Sequence, residues 1–107
     1  MADNPRYALY KAKYEAMIAN KMNEEADTTY TVAGKCCESG DMLVMDAKLP
    51  KAEQGDLLLV SSTGAYNYSM SSNYNRLPKL PVVFVKDGTS RLVVKGETLE
   101  DLIRQDI

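Results

Sequence analysis

Val82-Val83-Phe84-Val85-Lys86 and Ser90-Arg91-Leu92-Val93-Val94 flank the dipeptide Asp87-Gly88. The β-branched and aromatic residues favour extended backbone, and Asp-Gly suits the two positive-φ positions of a type I′ turn. The stretch therefore predicts a tight β-hairpin, and it sets the class of the chain. Upstream, Gly55-Asp56 opens Leu57-Leu58-Leu59-Val60, a continuous apolar run that predicts a strand buried on both faces. Met42-Leu43-Val44-Met45 lies between Ser39-Gly40-Asp41 and a loop containing Pro50, and Thr29-Tyr30-Thr31-Val32-Ala33 ends at Gly34; both predict strands. Downstream, Thr98 is placed to cap a short helix that carries Leu99, Leu102 and Ile103 on one face, with Glu100 and Asp101 near its positive end. Short strands separated by turn residues and closed by one helix give a mostly-β barrel or sandwich.

Two stretches have no single period. Pro5 to Asn20 places Tyr7, Tyr10, Tyr14, Met17 and Ile18 on one helical stripe, but Tyr14, Ala16 and Ile18 equally fit one face of a strand. Gly64 to Asn75 is polar and aromatic, a composition that suits neither a core nor a linker. Lys21 to Thr28 reads as a surface loop.

With 107 residues the chain is one domain's worth, too short for a (β/α)₈ barrel, which needs roughly 200. Thirteen basic against fifteen acidic residues leave a formal charge of −2, which argues against a nucleic-acid surface built on net charge. No apolar run approaches the ~20 residues of a membrane span, and Met1-Ala2-Asp3-Asn4-Pro5 lacks a signal-peptide pattern. Adjacent Cys36 and Cys37 do not make a disulfide framework, so a reducing cytoplasm is the expected compartment. The absence of histidine excludes a Ser-His-Asp triad, a Cys-His dyad and a His-ligated zinc within the chain. The vicinal thiols alone do not complete a metal site.

Three groups of residues remain for chemistry. Cys36-Cys37-Glu38-Ser39-Gly40-Asp41 lies where a strand runs out into a turn. A thiol beside a carboxylate can donate a proton, since the negative charge keeps it protonated, although a cysteine here can equally be core filling. Arg6 and Tyr10, four apart, face one way on a helical turn and together suit a carboxylate, or simply stack. Gly64-Ala65-Tyr66 allows a backbone to approach a ligand and offers it a hydroxyl, while Tyr66, Tyr68 and Tyr74 equally suit a subunit interface.

Taken in order, Asp3-Asn4-Pro5-Arg6, Leu9-Tyr10, Cys37-Glu38-Ser39-Gly40-Asp41, Gly64-Ala65-Tyr66 and Met70-Ser71-Ser72-Asn73-Tyr74-Asn75 resemble the C-terminal domain of the diaminopimelate decarboxylases. These are fold-type III enzymes dependent on pyridoxal 5′-phosphate. The likeness runs from about residue 3 to about residue 104, with Tyr7 standing where the family usually has a second proline. It implies that residues 1–107 are a C-terminal β-domain of the alanine racemase/decarboxylase type with a short closing helix. An N-terminal (β/α)₈ barrel, absent here, would carry the Schiff-base lysine and hold most of the cofactor.

The resemblance also implies roles. Cys37 matches the donor that returns a proton to the α-carbon, and Glu38 the residue that reads the substrate's distal amino group. Arg6 and Tyr10 match contacts to a substrate carboxylate, and Tyr66 touches both cofactor and substrate. The substrate would be meso-2,6-diaminopimelate and the products L-lysine and CO₂, in lysine biosynthesis. The site would straddle a homodimer interface, with Cys37 and Glu38 acting on the partner's barrel, and the chain alone would be inert. No metal, nucleic acid or membrane is implied. Rival readings are the same domain from an ornithine, arginine or carboxynorspermidine decarboxylase, or a standalone dimerisation or binding module. Ornithine-type enzymes generally carry Asp after the cysteine, so Glu38, Ser39 and the Arg6–Tyr10 pair favour diaminopimelate.

Overall fold

The computed structural model describes residues 6–107. Asp3-Asn4-Pro5 of the family-like pattern lies outside the described residues. The stretch with two periods takes both conformations in succession: helix α1 spans Arg6–Tyr10 and strand β1 spans Ala16–Ile18. Helix α1 ends at Lys11, which turns left-handed (φ +52°), and Ala12 N donates back to the Arg6 carbonyl. A 3₁₀ turn at Ala19–Lys21 leads to β2 (Thr28–Ala33), β3 (Met42–Leu49) and β4 (Leu58–Val60). Then come α2 (Ala65–Ser69), a second 3₁₀ turn at Tyr74–Arg76, β5 (Val82–Lys86), β6 (Thr89–Val94) and α3 (Leu99–Ile103).

Among the described residues the strands form three antiparallel ladders, β1–β4, β2–β3 and β5–β6. The buried core, Ile18, Val32, Leu43, Ala47 and Leu49, lies on β1, β2 and β3, with Ala16, Tyr30 and Val44 packed around it. Both β1 and α1 lie against β3, so the longest strand supports the segment that carries Arg6. Strand β3 is bulged: Tyr30 faces Ala47 while Val32 faces Val44, which leaves one extra residue on β3. Asp46 takes a left-handed conformation there (φ +52°), and Met45 turns outward.

The hairpin forms as its sequence predicts. Lys86 pairs with Thr89 across Asp87 and Gly88, whose φ values of +50° and +72° are those of a type I′ turn. The closing helix α3 carries a capping box: Thr98 Oγ1 accepts from Asp101 N, and Thr98 N donates to Asp101 Oδ2.

One expectation needs correction. Leu57–Val60 is not a strand buried on both faces. Strand β4 covers only Leu58–Val60 and, among the described residues, pairs with β1 alone and has no second layer over it, which leaves Leu58 and Leu59 nearly half exposed. The chain is mostly β with a short closing helix, as its sequence predicts, and among the described residues its strands pair as separate two-stranded ladders. The accessible surface is 8102 Å², where a compact chain of this mass exposes about 5,900 Å². Phe84, Val85 and Leu99 are largely open to solvent. A groove of about 780 Å³ runs between α2 and the hairpin, lined by Ala65, Tyr68, Leu80, Val82, Phe84 and Val94 among others. Among the described residues no helix is long and apolar enough to cross a membrane.

Candidate active site

The connection from β2 to β3 is closed by a pair of residues that need each other. Gly34 N donates to the Asp41 carbonyl at 2.8 Å, and the Asp41 carboxylate folds into the space where any other side chain at position 34 would begin. Asp41 is 2% exposed, and its Oδ2 accepts from Cys36 N at 3.2 Å. Within the loop, Glu38 N donates to the Cys36 carbonyl, Asp41 N to the Glu38 carbonyl, and Gly40 N to Glu38 Oε1. This folding separates the vicinal cysteines: Cys36 is buried, while Cys37 and Glu38 are presented to solvent at the tip. Cys37 is therefore the solvent-exposed thiol and Cys36 the buried one.

A second segment holds the tip. Tyr74 Oη donates to the Cys37 carbonyl at 3.2 Å. The neighbouring Asn73 Nδ2 donates to the Leu77 carbonyl and to Glu97 Oε2, and Glu97 Oε2 also accepts from Lys79 N at 2.7 Å. The Lys79 amide and then the Asn73 amide hold the Glu97 carboxyl below the usual carboxylate range. Asn75 and Arg76 are left-handed (φ +57° and +51°), and Arg76 is bound through both terminal nitrogens to Asp106.

The second cluster forms around Arg6. Its Nη1 donates to Tyr14 Oη at 2.9 Å, and Tyr14 Oη donates to Asn67 Oδ1 at 3.0 Å. The guanidinium also lies 4.8 Å from the centroid of the Tyr66 ring, within cation–π range. Two sequence-predicted residues, Arg6 and Tyr66, thus meet although they are 60 positions apart. Tyr10, at the far end of α1, is exposed. Tyr14 and Asn67 were not among the predicted site residues, and no local pattern marks a pair separated by 53 positions.

The chemistry available follows from these placements. A stacked guanidinium suits a carboxylate, and an exposed thiol beside an exposed carboxylate suits proton delivery next to a cationic group. Tyr66 is exposed, and no atom lies within 4 Å of where a Cβ on Gly64 would stand, so a ligand edge can approach this turn. These residues fit a peripheral contact to pyridoxal phosphate.

Residues 1–64 match the family described as pyridoxal-dependent decarboxylase, C-terminal sheet domain. A diaminopimelate decarboxylase from Bacillus subtilis is 58% identical over 107 residues, which are all of this chain and 24% of that protein. The same enzyme from Synechocystis is 54% identical over 99% of this chain and 23% of its own length. Among solved structures, a diaminopimelate decarboxylase from M. jannaschii in co-complex with L-lysine superposes with a TM-score of 0.86 at 35% identity, covering 98% of this chain and 24% of that one. The Helicobacter pylori enzyme complexed with L-lysine gives 0.82 at 38% identity, covering 95% of this chain and 25% of that one. The chain spans about a quarter of the length of the relatives it matches. On these grounds, it belongs to the pyridoxal-dependent decarboxylase family, as a C-terminal sheet domain.

Proposed function

We propose that this chain is the C-terminal domain of an enzyme that decarboxylates meso-2,6-diaminopimelate to L-lysine and CO₂. The observation that carries the reading is the β2–β3 loop, which buries Cys36 and presents Cys37 and Glu38 side by side on a hydrogen-bonded tip. Bound pyridoxal phosphate supplies the electron sink for loss of CO₂. The Cys37 thiol delivers a proton to the carbon that CO₂ leaves, and Glu38 pairs with the distal ammonium of the substrate. Arg6 and Tyr10 bind a substrate carboxylate, and Tyr66 contacts both substrate and cofactor. An N-terminal barrel of the same polypeptide holds most of the cofactor, and a second copy completes the site, so that Cys37 and Glu38 serve the partner's barrel. The enzyme works in the cytoplasm.

The test uses the full-length polypeptide that carries this chain, assayed on meso-diaminopimelate and on ornithine. Wild type turns over diaminopimelate, and Cys37→Ala lowers kcat by about 10²–10⁴, the usual contribution of a positioned acid. Arg6→Ala raises KM for the dicarboxylate. Turnover of ornithine in place of diaminopimelate would move the assignment to the ornithine-type enzymes. A Cys37→Ala enzyme as fast as wild type would remove the thiol from the mechanism.

A further inference from the structure

We infer that Tyr14 and Asn67 are positioning residues that set the Arg6 guanidinium for the substrate's carboxylate. The inference rests on the diaminopimelate reading and adds to it two residues that do not touch the substrate. An arginine side chain is long and rotamer-rich, so forked binding of a carboxylate depends on what holds the guanidinium plane. Among the described residues, Nη1 donates to Tyr14 Oη at 2.9 Å, and the cation lies 4.8 Å from the Tyr66 ring centroid.

The polarity of the network is fixed. A phenol has one proton, and Tyr14 gives it to Asn67 Oδ1 at 3.0 Å, which leaves the Tyr14 oxygen to face Arg6 as an acceptor. With the amide turned over, Tyr14 would face two donors and its own proton would have no acceptor in the chain of three. Asn67 Nδ2 is buried without a hydrogen-bond partner among the described residues, so Oδ1 alone carries the residue's polar contribution. Tyr66 and Asn67 are consecutive on α2, so one short helix supplies both the ring under Arg6 and the acceptor that orients Tyr14. The Arg6 carboxylate subsite is therefore assembled from three segments rather than from α1 alone.

The experiment compares Tyr14→Phe with wild type in the full-length enzyme. The expected result is a rise of about five- to tenfold in KM for meso-diaminopimelate with kcat within about twofold. Calorimetric Kd for the same compound should rise by a similar factor, with the melting temperature nearly unchanged. A KM within twofold of wild type, or a fall in kcat with KM unchanged, would overturn the inference. Should Tyr14→Phe not fold, Asn67→Leu leaves the phenol in place and carries the same expectation at smaller amplitude; an unchanged KM there is equally decisive against it. A wild-type enzyme without activity on diaminopimelate overturns the functional reading itself, and the inference with it. An active wild type with an unaffected Tyr14→Phe overturns the inference alone.

Discussion

Gly34 and Asp41 decide which of two adjacent thiols meets solvent. The Asp41 carboxylate occupies the volume a Cβ at position 34 would need and draws the Cys36 amide inward, so Cys37 has to point out. Gly34→Ala should cost about 2–3 kcal/mol, by overpacking and by displacing a buried carboxylate from its donor. A urea midpoint within experimental error of wild type would contradict this account of the loop. The sequence held part of the site in view. Cys37 and Glu38 are neighbours in a turn-like stretch, and the family-like pattern singled them out. Why Cys37 rather than Cys36 was not legible, since both share the same flanks and the choice depends on a carboxylate folded back onto a glycine. The Tyr14–Asn67 contact was hidden for a similar reason: it arises only when β1 and α2 are already in place.

At the scale of elements, what could be read was whatever is encoded within a few residues. The type I′ turn at Asp87-Gly88 and the Thr98 cap are local chemistry and form as predicted, the cap closing as a box with Asp101. The exposure of β4 depends on what lies over it, which no four-residue apolar run can specify. Strands β1 and β4 have their own fastening at one end. Asp56 accepts from Lys21 Nζ, Asn20 Nδ2 and Glu53 N, and Asn20 Oδ1 accepts from Leu57 N. These donors, Lys21 first and then Asn20 and the Glu53 amide, lower the Asp56 carboxyl from 3.8 to about 2. A carboxyl whose value falls on folding stabilises the fold fully above its unfolded value and loses that contribution as pH falls through its folded one. Stability should therefore decline between about pH 4 and pH 2, and Asp56→Asn should flatten the decline. Equal slopes for the two proteins in denaturation series across that window would exclude Asp56 as a source.

The whole molecule has more surface than its mass warrants. Its radius of gyration is 15.5 Å, against about 13 Å for a compact chain of 107 residues. Much of the excess is apolar, on β4, the β5–β6 hairpin and α3. The isolated chain should therefore self-associate at micromolar concentration and bind an apolar dye more strongly than the full-length protein does. A monomer at all accessible concentrations that leaves the dye dark would show that this face needs no cover. The three ladders also differ in how long each strand must wait for its mate. Strands β5 and β6 meet across two residues and can zip within about 1–10 μs. Ala16 must wait for Val60, 44 residues later, which at ribosomal speeds of about 5–20 residues per second leaves β1 alone for about 2–9 s. During that interval Ile18, destined for the core, hangs on an unmatched strand, so the nascent chain is most exposed to holding chaperones between the synthesis of β1 and that of β4.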